Sequence, residues 1–216
     1  MQVVIKMGWV WLLAGMLSMA VTTSAWAKNE TVALIEHASQ QVFETLREDA
    51  ERTRNDSEFL YGVVEEIILP IIDFEGVSRL ILARHWRSAT PEQRERFVNA
   101  FRGMLVRTYT LQMADHLDKD IRVLSHRSHQ DERMAQVATE IVMGQGQSNV
   151  SVIYSLRPVD GEWKVFDLTV EGLSLVGNFR TNFGAEIERQ GLDRLIARLE
   201  QGDESLIEDA TEAARQ

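Results

Sequence analysis

Between residues 121 and 171 four strand-like segments follow one another with only short polar breaks, and this spacing restricts the fold more than any other feature. The segments are 121–127, 134–144, 149–157 and 162–171. They are separated by Ser128-His129-Gln130-Asp131, Gly144-Gln145-Gly146-Gln147 and Pro158-Val159-Asp160-Gly161, all turn signals. A parallel crossover needs about a dozen residues or more, so such short breaks imply antiparallel neighbours in a four-stranded meander. Val150, Val152, Tyr154 and Leu156 alternate with Ser151, Ile153 and Ser155, while Phe166, Leu168 and Val170 alternate with Val165, Asp167 and Thr169. One face is therefore strongly apolar and the other mixed. Such a sheet has to bury its apolar face against another layer.

Helical patterns on both sides supply that layer. Residues 30–53 carry apolar positions at Val32, Ile35, Val42, Phe43 and Leu46, with a polar opposite face. Asn55-Asp56-Ser57 breaks the pattern and caps a short helix ending near Pro70, where Ile67, Ile68, Leu69, Ile71 and Ile72 form an apolar knot. Asp73 suits the cap of a helix bearing Phe74, Val77, Leu80 and Ile81. Thr90-Pro91-Glu92-Gln93 combines a cap, a proline for the first helical position and a capping-box glutamine. The helix it starts is expected to run to about residue 117, roughly 40 Å, with Phe97, Phe101, Met104, Leu105 and Thr108 on one stripe. Helices return at 173–190 and 192–200, and residues 202–216 read as a polar flexible tail. The fold class is α+β, with helices packed on one face of a curved antiparallel sheet.

The amino terminus belongs to a different regime. After Lys6, residues 7–27 carry no charged side chain and end in Ala25-Trp26-Ala27, a small-x-small pattern before Lys28. This describes a secretory leader over 1–27, cut after Ala27; a retained membrane anchor is the alternative. The folded domain then covers 28–201. The chain has no Cys, which removes disulfide scaffolds, thiolate zinc sites and cysteine nucleophiles, and suits a bacterial periplasm. A net charge of −10 argues against nucleic-acid binding and against adhesion to anionic lipid.

Catalytic constellations are incomplete. His126 and His129 lie three apart across a strand end and a turn, without a third metal ligand nearby. Gly172-Leu173-Ser174-Leu175-Val176-Gly177 lacks the glycine two residues after serine that a nucleophile elbow needs. Glu65-Glu66 reads as a solvated face, and Asp167 as a partnered structural carboxylate. Arg84, Arg87, Arg94 and Arg96 gather around Trp86, either as surface ion pairs or as a docking patch with Trp86 as its anchor. What stands out is apolar supply, which makes either a large core or the lining of a cavity.

Two stretches resolve that choice by resemblance. Asp73-Phe74-Glu75-Gly76-Val77, Leu82-Ala83-Arg84-His85-Trp86-Arg87-Ser88-Ala89-Thr90-Pro91-Glu92-Gln93-Arg94, and Phe97, Phe101 and Leu105 to Tyr109 form the first. Trp163-Lys164-Val165-Phe166-Asp167-Leu168, Val170-Glu171-Gly172-Leu173-Ser174-Leu175 and Asn178-Phe179-Arg180 form the second. Both resemble the MlaC/toluene-tolerance family of periplasmic phospholipid-binding proteins. The resemblance spans about 30–200. It implies a helical layer on a highly curved sheet, cone-like, with acyl chains in an internal apolar cavity and the headgroup in solvent. It also implies a monomeric, non-enzymatic carrier with no cofactor. Phospholipid would be its cargo, moved between an outer-membrane lipoprotein complex and an inner-membrane ABC transport complex that maintain outer-membrane lipid asymmetry. On this resemblance the expected cavity residues are Ile67, Phe74, Val77, Ile81, Phe101, Leu105, Tyr109, Val152, Tyr154, Phe166, Leu168, Val176 and Phe179. Arg107 and Tyr109 are the expected headgroup contacts, and Arg84, Trp86 and Arg87 the expected docking residues. A pocket enzyme using Asp167 and Tyr154 and a structural or chaperone-like periplasmic protein are the other readings.

Overall fold

The computed structural model describes residues 24–110, 119–144, 146–203 and 205–207, with backbone alone for 24–29. The leader expected over 1–27 lies outside the described residues as far as residue 23, as do the expected helix end at 111–117 and most of the tail.

Helix α1 (Ser24–Glu48) buries Val32, Ile35, Val42 and Leu46, one helical stripe. The single helix expected over 30–53 is broken at Asp49. Its carboxylate accepts from the Arg52 amide at 3.1 Å and starts α2 (Ala50–Asn55). Asp56 repeats the device, accepting from the Phe59 amide at 3.0 Å to start α3 (Ser57–Val63). The chain continues through a π-helical turn (Val64–Ile68) and a 3-10 turn (Leu69–Ile71), which absorb Pro70. Helix α4 (Phe74–Leu82) starts at Asp73 and stops at Ala83, whose φ of +47° turns the chain sharply into α5 (Arg84–Ser88). The expected capping box opens α6 (Pro91–Thr110): the Gln93 amide donates to Thr90 Oγ1 at 3.1 Å, and the Thr90 amide donates to Gln93 Oε1 at 3.0 Å.

Among the described residues the sheet has six strands, all paired antiparallel, in the order β1-β3-β4-β5-β6 with β2 beside β3. They are β1 (Asp120–Val123), β2 (His129–Gln130), β3 (Ala135–Val142), β4 (Val150–Val159), β5 (Glu162–Val170) and β6 (Leu173–Ser174). The meander stands as expected, with two differences. The first segment is a strand only to Val123, because a 3-10 turn (Ser125–Arg127) lifts it off β3. Ser128 Oγ then accepts from the Ala138 amide at 3.1 Å, and His129 and Gln130 rejoin the ladder as β2. The last segment folds back on itself through Glu171-Gly172, a two-residue turn with φ of +50° and +86°. Positive φ at both central positions defines the tight hairpin turn matched to strand twist, and glycine adopts it without steric cost. The resulting β6 ends at Ser174, whose Oγ accepts from the Gly177 amide at 2.9 Å and starts α7 (Leu175–Gln190).

The core has three parts. Val42 and Leu46 of α1 meet Leu60, Val63 and Ile67. Val32 and Ile35 meet Ala135, Val137, Leu156 and Val165 on the apolar sheet face. The largest part joins α4 to α8, where α8 (Leu192–Glu200) contributes Leu195, Ile196 and Leu199. Its centre is four phenylalanines: Phe101 meets Phe179 and Phe183 edge-on at 5.2 and 6.1 Å, and lies parallel to Phe97 at 5.9 Å. Edge-on and offset pairs are the favoured aromatic geometries. Leu206 and Ile207 also belong to this cluster, so the core extends past residue 201 into the stretch expected to be a polar flexible tail.

Candidate functional site

The site grows from the junction of the helical layer with β5. The Asp73 amide donates to the Val165 carbonyl at 2.9 Å, beside a parallel bridge between Ile72 and Val165. Asp73 Oδ1 accepts from the Gly76 amide at 2.8 Å, and Oδ2 accepts from Arg157 Nε at 2.9 Å, with Arg157 Nη2 beside it. One carboxylate thus starts α4 and clamps it to β4. Gly76 makes room for the clamp: a Cβ there would lie 1.6 Å from Arg157 Nη2. The Arg157 guanidinium also lies over the Phe166 ring, 5.4 Å from its centroid.

Phe166 is where the alternation read from the sequence fails. Ser155 pairs with Asp167, but Leu156 pairs with Val165, so one extra residue is accommodated on β5. Val165 therefore joins Leu156, Tyr154 and Leu168 on the α1 side, while Phe166 packs with the helical core. A second carboxylate closes the other end. Asp167 accepts from Ser174 Oγ at 2.6 Å and from the Val176 amide at 3.0 Å, which ties the first turn of α7 to β5.

Between these two ties α4, α6 and α7 stand slightly off β5 and leave a gap of about 100 Å³. Its lining includes the expected residues Phe74, Val77, Phe101, Leu105, Phe166, Leu168, Val176 and Phe179, together with Ile72, Val165, Asp167 and Leu175. The solvent-reachable wall is apolar, since the Asp167 oxygens are turned into their bonds with α7. The sequence reading missed Ile72, although it lies in the isoleucine knot, and also Val165 and Leu175.

The remaining expected residues lie elsewhere. Ile67 packs against α1 and α3, and Ile81 is 1% exposed within the helical core. Val152 is buried on β4. Tyr154 packs beside Val137 and Leu168, where burial pushes its phenol above the usual tyrosine range. Tyr154 and Asp167 do not form an acid–base pair: Tyr154 shares the α1-facing side with Leu168, and Asp167 pairs with Ser155 on the opposite one. Tyr109 is 36% exposed. Arg107 is not at the gap: its Nη2 donates to the Leu199 carbonyl at 3.1 Å, at the end of α8, whose terminal carbonyls need donors. Trp86 is not an exposed anchor. It is 8% exposed and lies beneath the guanidiniums of Arg79 and Arg94, at 5.6 and 5.3 Å. Arg84 and Arg87 are exposed on either side of it.

Among the described residues no His, Asp and Glu gather in a group that could hold a metal ion, and no helix is long and apolar enough to cross a membrane.

Known proteins resemble this chain in sequence and in fold. The chain is 24% identical over 183 residues to the intermembrane phospholipid transport system binding protein MlaC of Haemophilus influenzae, covering 84% of this chain and 86% of that protein. It is 26% identical over 161 residues to the toluene tolerance protein ttg2D of Pseudomonas putida, covering 74% of each. Its fold matches a phospholipid-binding protein from Ralstonia solanacearum, solved in complex with a phospholipid, with a TM-score of 0.71 at 24% identity over 81% of this chain and 97% of that one. The family model described as MlaC protein matches residues 36–201, and the chain belongs to the MlaC family.

Proposed function

We propose that this protein is a periplasmic phospholipid carrier that holds acyl chains between its helical layer and β5. The observation that carries the reading is the apolar gap at that junction, in a chain whose relatives are named for phospholipid binding and transport. Burying each CH₂ contributes about 0.8 kcal/mol, so two ordinary acyl chains represent about 20 kcal/mol or more of gross transfer energy. A lipid leaves a bilayer at that cost only into an equally apolar enclosure. The gap of about 100 Å³ is smaller than the roughly 300–1,000 Å³ of pockets that enclose small ligands. Loading therefore moves α4, α6 and α7 away from β5.

The uncharged run at 7–27 supports export, with cleavage after Ala27. Delivery between an outer-membrane lipoprotein complex and an inner-membrane ABC transport complex follows from the same reading. It assigns the energy coupling to those complexes and leaves this chain a monomeric carrier without cofactor or catalytic step. The test is direct. The protein is purified from cells and its solvent extract analysed by mass spectrometry. About one phospholipid per chain is expected; a lipid-free protein that also takes none from phospholipid vesicles would overturn the reading.

A further inference from the structure

The outer side of α4, α5 and α7 carries a feature that lipid carriage does not use. An open groove of about 800 Å³ is lined by Arg79, Arg84, Arg87, Arg94 and Arg180 around the buried Trp86. The turn at Ala83 creates it by swinging α5 away from the axis of α4. Five guanidiniums in one groove is a strong local concentration in a chain of net charge −10. Their engagements are graded. Arg94 is held by the structure, donating to the Trp86 carbonyl at 2.9 Å and to that of Arg87 at 3.4 Å. Arg79 pairs with Glu75 at 3.2 Å and Arg84 pairs with Glu188, all four side chains being more than half exposed. Arg87 and Arg180 are exposed, and among the described residues neither has a carboxylate partner.

We infer that this groove docks an extended acidic segment of a protein partner, with carboxylates engaging Arg87 and Arg180. Guanidinium forks match carboxylates in two-point geometry, and two of the groove's arginines already pair with carboxylates, each through one nitrogen. A lipid surface is the weaker fit, because a plane does not enter a concave groove and the acidic remainder of the molecule is repelled by anionic headgroups. The inference stands apart from the cargo reading, since none of these arginines lines the apolar gap.

The test uses the full chain, its Arg87→Glu/Arg180→Glu variant, and a ten-residue peptide of alternating Asp and Leu carrying a neutral dye. Peptide anisotropy is measured at low salt and at 0.5 M salt, with an Asn-for-Asp peptide as control. Saturable binding of the acidic peptide is expected, weakened about tenfold or more by the double reversal and by salt, with co-purified phospholipid unchanged. The loss of two exposed ion pairs together with the new like-charge repulsion accounts for a factor of that order. No binding, or equal binding by both proteins, would overturn the inference. So would phosphatidylglycerol vesicles that bind the wild-type chain and not the variant, which would assign the groove to a membrane. A wild-type dimer lost in the variant on sedimentation would assign it instead to a second copy and likewise overturn the inference.

Discussion

The Asp73 clamp holds the helical layer against the sheet, and its energetics can be separated with two substitutions. Asp73→Asn keeps an oxygen able to cap α4 through the Gly76 amide but removes the charge facing Arg157. A hydrogen bond to a charged group contributes about 1.5–3 kcal/mol. The Asp73 side chain is 10% exposed and Arg157 34%, so solvent screening places the loss toward the lower end, about 2 kcal/mol. Asp73→Ala removes the cap as well, which costs about 1 kcal/mol more. In a chain of this length 1 kcal/mol moves the melting midpoint by about 2–4 °C. The asparagine variant should therefore melt about 4–8 °C lower and the alanine variant about 6–12 °C lower. Urea unfolding with a common m value reads the same difference. A double-mutant cycle with Arg157→Ala should return a coupling of about 1 kcal/mol or more. If Asp73→Asn unfolds within 0.5 kcal/mol of wild type, the clamp carries no load. If the two variants unfold together, the cap contributes nothing.

Three further outcomes follow from the same geometry. Val176→Phe puts a ring into the gap beside Phe179 and should lower the phospholipid recovered per chain while costing under about 3 kcal/mol in urea; full lipid content would exclude the gap as the cargo site. Phe179→Ala removes a ring that is 3% exposed and edge-on to Phe101, and should cost about 3–5 kcal/mol by denaturant unfolding, a loss under 1 kcal/mol being incompatible with the packing. Asp203 is held below its ordinary value of 3.8 by hydrogen bonds from Ser205 and then Arg198. Its contribution is complete above about pH 4, because the unfolded chain binds the proton more tightly, and is lost as pH falls through the lower folded value. Asp203→Asn should flatten the loss of stability over that acid range, and an unchanged slope would refute the assignment.

How much of this was legible beforehand depends on the range of the interaction. The Thr90-Gln93 box, the Asp73 cap and the α8 stripe were all readable, because each is set within a few residues by backbone geometry and side-chain reach, whereas the hairpin at Glu171-Gly172 was not read. The α+β class followed from the same local signals, since short breaks between strands admit only antiparallel neighbours. The division of apolar residues between core and gap was not readable. Ile67 and Ile81 have the composition of cavity residues yet close the core, while Ile72, Val165 and Leu175 reach the gap. One bulge at Phe166 turns Val165 to the α1 side, and a bulge leaves no mark in residue type.

The tail shows the same limit, since Leu206 and Ile207 are buried within the cluster that α4 to α8 build. The amino-acid sequence by itself determined where α3, α4, α6 and α8 start, where the turns between the long strands lie and that those strands are antiparallel neighbours, because those are short-range equilibria of backbone hydrogen bonds. Only the tertiary structure decided which apolar side chains face one another across a space. That depends on how α4, α6 and α7, brought together from distant parts of the chain, cross β5, and no local periodicity encodes the crossing.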